Sequence, residues 1–374
     1  MQKRGEIRAL TGVRGLAAML VVLHHFSPTD KILLWNTFTN HTYLGVDVFF
    51  VLSGFVMAYV HHDLNGRFNQ PGVFRGFLAL RAGRIYPLYI ILTLVCWPLA
   101  TANLLSFETA LPVQRVVMNL LLIQGWGLDI SIDNPGWSLS TEALAYLLFP
   151  LLLAATLSGR RTIVAGTACA VLAAYLILAS LSNEALMEGS WRSLASLDIS
   201  DTRTLAPAVR CVAGFTLGLF TWRVLQNPRW QRVASSGPLC TAVAVLLLCL
   251  LFAHGVDVIV VLLLPVLIGC LATERSVVAR ALASGPMHQL GVWSYALYLV
   301  HYPFISLRYP VMHALHWLGV ARTPVLAWVI VLGCMIAAAA LLNRFVERPV
   351  QSAVRRWIAP ARAHSLDRPA TVPT

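Results

Sequence analysis

The chain has 374 residues, of which 58% are hydrophobic and 12% are charged. Roughly a quarter of the residues of a soluble globular protein are charged, so this composition excludes that class and predicts an all-α polytopic membrane protein. The formal net charge of +12 lies mainly in short links and tails. No basic stretch alternates with aromatic residues as a strand-binding groove requires, so nucleic-acid binding is excluded.

Ten apolar runs are each near the length of about 20 residues that a helix needs to cross a bilayer. They cover residues 9–26, 44–60, 85–105, 137–157, 162–181, 209–225, 237–254, 256–272, 289–307 and 323–343. A shorter run at 116–123 is either an eleventh span or a re-entrant or interfacial helix. If it does not cross, the Arg-rich links all fall on one side of the membrane, which favours ten spans.

The same charge bias predicts that both termini are cytoplasmic. We expect one transmembrane domain over residues 1–350 and a basic cytoplasmic tail over 351–374. The seven cysteines lie in or beside apolar runs and form no CxxC motif. Neither disulfides nor a metal site are therefore predicted.

The first span carries Arg14 near its inner end. Arg81 and Arg84 lie at the inner start of the third span, three residues apart and hence on one helix face. A charged side chain within a span is costly, which makes it a candidate for a functional site. Three arginines at one end match a phosphate-rich ligand. The alternative is that they anchor the helices by extending to lipid headgroups.

His24 and His25 lie toward the outer end of the first span. Asp47 begins the second span at the same predicted depth, and Glu142 lies in the outer half of the fourth span. A carboxylate that orients a histidine is the usual arrangement of general-base catalysis. The alternative is that these histidines only pack and form hydrogen bonds.

Four further side chains accompany this outer end. Trp137 and Ser138 begin the fourth span, whereas Tyr298 and His301 lie three residues apart on the ninth. Tryptophan is also common in the aromatic belt at a membrane surface, and a buried histidine often joins two helices. We interpret the four as substrate-contacting or supporting residues.

Arg14 and His25 are about 16 Å apart at the helical rise of 1.5 Å per residue. A ligand with an anionic head and a long thin arm would span that distance. Coenzyme A has this shape.

The polar stretches, taken in order, resemble the membrane acyltransferase-3 family. They are RGLAAMLVVLHH at 14–25, GVDVFFVLSGFVM at 45–57, RAGRIYPLY at 81–89, PGWSLSTEALAYLLFP at 135–150, RCVAGFTLG at 210–218, SYALYLVHYP at 294–303 and VERP at 346–349. The resemblance implies ten membrane helices, acetyl-CoA as co-substrate, a hydroxyl acceptor and no metal. It also implies that His25 is essential and that Arg14, Arg81 and Arg84, followed by Tyr86, handle the donor.

The resulting hypothesis is an O-acyltransferase in which His25, oriented by Asp47 or Glu142, takes the proton of an acceptor hydroxyl. A transient acetyl-histidine is the variant mechanism.

The expected acceptor is an exported polysaccharide or its lipid-linked precursor, and a macrolide or a lipid headgroup is the alternative. We do not expect the extracellular SGNH hydrolase domain that many family members carry. A transporter for lipid-linked sugars and a structural or sensory protein are the competing classes, and the oligomeric state stays open.

Overall fold

The computed structural model describes residues 5–26, 33–101, 112–186, 196–320 and 323–366, and the regular structure in these ranges is entirely helical. A helix lies over each of the ten predicted spans. These helices are α1 (Arg8–His25), α3 (Gly45–His61), α4 (Val73–Thr101), α6 (Gly136–Thr156), α7 (Arg161–Leu186), α8 (Ala206–Leu225), α10 (Gly237–Leu250), α11 (Asp257–Ala272), α13 (Gly285–Ile305) and α15 (Thr323–Leu342).

Six helical stretches among the described residues are long and apolar enough to cross a membrane. A seventh results if α9 (Pro228–Ala234) and α10, which meet at an angle of 63°, form one bent span. The fold is therefore that of a multi-pass helical membrane protein, although the count by length and apolarity is smaller than ten. In α1 and α13, the apolar runs are interrupted by polar side chains that belong to the candidate site.

The remaining helices are short or lie at the ends of the long ones. They are α2 (Leu33–His41), α5 (Val113–Leu120), α12 (Val277–Leu282), α14 (Arg308–Trp317) and α16 (Arg348–Leu366). The eight residues of α5 extend only about 12 Å, too short to cross a bilayer. The predicted basic tail begins as part of α16, where Val354 packs against Gly83 of α4.

Glycines allow the central helices to approach each other closely. A Cβ atom on Gly54 of α3 would lie 1.8 Å from the Phe215 carbonyl oxygen of α8, and one on Gly218 would lie 2.0 Å from the Val51 oxygen. Gly291 of α13 meets the Thr11 oxygen of α1 in the same way, at 1.8 Å. Small residues at helix contacts are typical of membrane bundles, where close backbone packing replaces the hydrophobic driving force.

Large apolar side chains cover the outside of the bundle. Leu151 on α6 is 69% exposed, and Leu176 on α7 and Val329 on α15 are likewise exposed. Such a surface would be a liability in water but suits lipid.

We predict that Gly54→Ala and Gly291→Ala each lower the thermal unfolding midpoint in detergent, by a destabilisation of about 1–3 kcal/mol, because the added methyl group overlaps a backbone oxygen. Gly333→Ala is the matched control. It also replaces a helical glycine, but its Cβ would meet no atom within 4 Å. Equal midpoints for all three variants would contradict the packing described here.

Candidate active site

Two cavities lie along the same four helices, α1, α3, α6 and α13. We call the first the arginine cavity, after Arg14 and Arg84, and the second the histidine cavity, after His24 and His25. They have volumes of about 90 Å³ and 280 Å³. Along α1, Arg14 lines the first cavity and the turn from Val21 to His25 lines the second, so the predicted separation of arginines and histidines is present.

The arginine cavity combines two cations with a carboxylate. Arg14 and Arg84 line it together with Glu142 of α6. One oxygen of Glu142 accepts hydrogen bonds of 2.5 Å from the hydroxyls of both Ser53 and Tyr146. Glu142 therefore belongs with the arginines, which corrects the prediction that it orients His25. Glu142 lies more than one helical turn after Trp137 on α6. At this position it faces the arginine cavity, whereas Trp137, on the other side of Ser138, faces the histidine cavity.

A second carboxylate acts on the same arginines. Glu347 lies in a π-helical turn, Asn343–Glu347, and interacts electrostatically with Arg84 and Arg14. Asn343 donates a hydrogen bond to Glu347 and another to the Val292 carbonyl of α13. These bonds fix the carboxylate beside the bundle. π-Helical turns are frequent at functional sites.

Arg81 and Tyr86 are absent from the lining of both cavities. Arg81 lies behind the wall of the arginine cavity, where its guanidinium contacts the Met57 sulfur at 3.6 Å. Its Nε is buried without a hydrogen-bond partner among the described residues. The Tyr86 hydroxyl donates to the Leu121 carbonyl and so ties α4 to the segment after α5. Neither residue lines either cavity, and their predicted contact with a donor stays a prediction.

The histidine cavity is rich in hydrogen-bonding side chains. Beside His24 and His25 it is lined by Asn40, Tyr43, Asn134, Trp137, Asp198, Ser200 and Arg210. The mixture of amides, hydroxyls, charges and an indole ring can contact a polar ligand with several hydroxyl groups.

Backbone carbonyls set the tautomers of the three histidines. Nδ1 of His25 lies 3.1 Å from the Val21 oxygen, Nδ1 of His24 3.1 Å from the Thr39 oxygen, and Nδ1 of His301 2.6 Å from the Tyr298 oxygen. A carbonyl oxygen only accepts, so each Nδ1 carries the proton. In the neutral rings Nε2 is then the basic nitrogen, which suits a general base.

Among the described residues, Asp198 is an acid that lies beside the histidines. Its carboxylate lies 3.9 Å from Nε2 of His24. Two hydrogen bonds hold the preceding residues: the Leu197 amide donates to the Tyr43 hydroxyl, and the Ser196 hydroxyl donates to Asp257. Asp198 lies in a polar loop. Its position outside the predicted spans was the only feature of the sequence that pointed to it.

Asp47 forms a buried ion pair with Arg210. Both residues are almost fully buried, and the guanidinium binds the two carboxylate oxygens at 3.0 and 2.5 Å. Arg210 also lies over the rings of Tyr43 and Trp137. Both carboxylate oxygens of Asp47 are thus bound by Arg210, which corrects the prediction that Asp47 orients His25.

His301 packs beside His25 rather than on a cavity wall. The two ring centroids are 5.1 Å apart, and the centroid of the His24 ring lies 4.9 Å from that of His25. His301 is fully buried, and its Nε2 has no hydrogen-bond partner within the described ranges. Its ring limits the rotation of His25.

Ser138 and Tyr298 lie where the two cavities meet. Tyr298 lines both cavities, Ser138 lines the arginine cavity, and Trp137 lines the histidine cavity. The hydroxyls of Ser138 and Tyr298 are 2.7 Å apart. The grouping of Trp137, Ser138 and Tyr298 follows the sequence prediction, whereas Ser53 and Tyr146 were missed because they carry no charge.

No group of His, Cys, Asp and Glu side chains in the described residues has the arrangement of a metal site.

The profile of the acyltransferase-3 family, described as an acyltransferase domain, matches residues 7–344. The chain belongs to this family. The two cavities and the histidines thus lie within an acyltransferase-3 domain that covers nearly the whole chain.

Named acyltransferases resemble this member along most of its length. Acyltransferase MdmB of Streptomyces mycarofaciens is 27% identical over 92% of this chain and 91% of its own length. YrhL of Bacillus subtilis (strain 168) is 24% identical over 94% of the chain, and the peptidoglycan O-acetyltransferase OatA of Listeria monocytogenes is 22% identical over 93%. This acyltransferase-3 chain spans 56% of the length of each of the last two proteins. No solved structure matches it.

We predict that Arg210→Met or Asp47→Leu alone destabilises the acyltransferase-3 domain by about 3–5 kcal/mol, because either leaves a buried charge without its partner. The double variant Asp47→Leu/Arg210→Met is expected to be less destabilised than either single variant. Thermal unfolding in one detergent measures all three. Additive losses in the double variant would show that the two residues act independently.

Proposed function

We propose that the protein is a membrane O-acyltransferase that moves the acetyl group of acetyl-CoA to a hydroxyl group of a saccharide, such as an exported polysaccharide or its lipid-linked precursor. The observation that carries this proposal is that a cavity with two arginines and a cavity with two histidines share one wall residue, Tyr298. A donor with a phosphate head and a thioester arm fits this arrangement, with the arm directed at Tyr298.

The donor binds by its phosphates at the arginine cavity. Guanidinium groups form paired hydrogen bonds with phosphate oxygens, so Arg14 and Arg84 are the binding residues in this proposal. Arg81 adds positive potential from behind the wall. Glu347 and Glu142 offset this charge when no donor is present, which lowers the cost of keeping arginines in a nonpolar bundle.

The reaction uses His25 as a general base. Nε2 of His25 takes the proton of the acceptor hydroxyl, and the hydroxyl oxygen attacks the thioester carbonyl carbon. The C–S bond then breaks, the acetyl group forms an ester with the acceptor, and the thiolate of CoA takes the proton that His25 had removed from the hydroxyl. The rings of His301 and His24 both pack against the ring of His25, and the Asp198 carboxylate lies beside His24.

The acceptor is held in the histidine cavity. Its amide, hydroxyl and charged side chains bind hydroxyl groups, and the indole of Trp137 offers a flat apolar face to a sugar ring. A saccharide is therefore favoured over an aliphatic lipid chain. The relative OatA, named a peptidoglycan O-acetyltransferase, supports this class of acceptor.

In this proposal the ten helices over the predicted spans cross the bacterial inner membrane, with both termini and the arginine cavity on the cytoplasmic side. The distribution of Lys and Arg among the links supports this orientation. Acetyl-CoA then enters from the cytosol, and the acceptor enters from the opposite face.

We predict that the purified protein binds acetyl-CoA and slowly releases its thiol, with water as acceptor. Arg84→Ala is expected to weaken acetyl-CoA binding about ten-fold or more, because a charge-assisted hydrogen bond is lost. The matched control is Arg161→Ala, an exposed arginine outside both cavities. Binding is measured by calorimetry in detergent.

His25→Ala is expected to keep acetyl-CoA binding but to lower thiol release by about 10²–10⁴-fold, the usual contribution of a general base. The control His316→Ala removes an exposed histidine of α14 and leaves the rate unchanged. Absence of acetyl-CoA binding by the wild-type protein would contradict the proposed donor. A transporter, the competing class, needs no acyl-CoA.

A further inference from the structure

Three side chains separate the arginine cavity from the histidine cavity. Tyr298 faces both, Ser138 faces the first, and Trp137 faces the second. The Tyr298 ring packs edge-on against Phe49 at 5.6 Å, and Trp137 packs against Phe50 at 6.1 Å. The wall is therefore made of aromatic rings from three helices.

One small hydrogen-bond network closes this wall. The hydroxyls of Ser138 and Tyr298 are 2.7 Å apart, and each lies close to the Pro135 carbonyl oxygen, at 3.1 and 3.2 Å. Two hydroxyl protons are therefore available for three possible acceptor oxygens, those of Ser138, Tyr298 and Pro135. Either hydroxyl can bond to Pro135 while the other bonds to its neighbour, so loss of the bond between them leaves both with a partner.

We propose that the Ser138–Tyr298 hydrogen bond is the closed state of a partition, and that Tyr298 thereby determines whether the thioester passes to an acceptor or to water. This inference rests on the proposed function. Tyr298 is a positioning residue in this account, because its hydroxyl controls access and takes no proton.

The chemistry explains why a partition is needed. Acetyl-CoA stores enough free energy to react with water, which forms a C–O bond to the acetyl carbon, breaks the C–S bond and yields acetate and the CoA thiol. A base that activates an acceptor hydroxyl also activates water. With the wall closed, the thioester in the arginine cavity is kept from His25 and from water in the histidine cavity until the acceptor has entered.

The Ser138–Tyr298 bond can be removed from either side. Tyr298→Phe keeps the ring that packs on Phe49, and Ser138→Ala keeps the tyrosine hydroxyl. Each variant is expected to raise acceptor-free thiol release from acetyl-CoA about five-fold, the factor that corresponds to one neutral hydrogen bond. The double variant is expected to match the singles, because all three lack the same bond. Binding of acetyl-CoA stays at the wild-type level.

Two further variants separate a partition from a general loosening of the fold. Tyr89→Phe removes another buried hydroxyl, bonded to the Asn119 carbonyl, from a residue that lines neither cavity, and leaves thiol release unchanged. His25→Ala added to Tyr298→Phe abolishes the acceleration, because the water is activated in the histidine cavity.

Unchanged thiol release in both single variants would overturn the partition. Slower release in Tyr298→Phe with no effect of Ser138→Ala would also overturn it, since the tyrosine hydroxyl would then act in the reaction itself. If the wild-type protein binds acetyl-CoA and the variants release the thiol at the wild-type rate, only the partition fails. If the wild-type protein does not bind acetyl-CoA, the proposed function fails with it.

Discussion

The buried ion pair between Asp47 and Arg210 determines the geometry on which the histidine cavity depends. Transfer of two charges into a helical bundle costs several kcal/mol per ion, and only a close, two-pronged pair repays that cost. The bidentate contact therefore fixes the relative depth and rotation of α3 and α8. The same guanidinium lies over Tyr43 and Trp137. Through Tyr43, which accepts a hydrogen bond from Leu197, the pair also positions the residues beside Asp198.

The two cavities follow from how four helices order their polar residues. Residues near one end of α1, α3, α6 and α13 line the arginine cavity, and residues nearer the other end line the histidine cavity. Glycine contacts bring α1 close to α13 and α3 close to α8. Phosphate binding and base chemistry are thus kept apart, and only the thin arm of a donor need pass between them. The acceptor meets a base whose Nδ1–H is already bound to a carbonyl oxygen.

Periodicity and apolar length predicted the helices well, because a bilayer imposes one length on every span. Depth along a helix also predicted that Arg14 and Arg84 lie apart from His24 and His25. The partners of the carboxylates were not predictable in this way. Asp47 and Glu142 share a predicted outer depth with the histidines, but the direction in which each side chain points depends on helix rotation and on distant neighbours. Arg210 binds the carboxylate of Asp47, and the hydroxyls of Ser53 and Tyr146 bind that of Glu142.

Asp198 illustrates a different limit. It lies in a loop, where neither helical periodicity nor hydropathy fixes a position, and its place beside His24 depends on contacts of the preceding residues with α11 and with the turn that contains Tyr43. The position of Glu347 depends on a π-helical turn that the residue pattern did not predict. Such residues are found only once the long-range packing is known.

The central claim is that the donor extends from the arginines to the histidines. A cryo-EM structure with a nonhydrolysable thioether analogue of acetyl-CoA tests it most directly. The account predicts that the phosphates contact Arg14 and Arg84 and that the acetyl group ends beside Tyr298. Phosphates bound in the histidine cavity, or an arm that leads away from Tyr298, would contradict it.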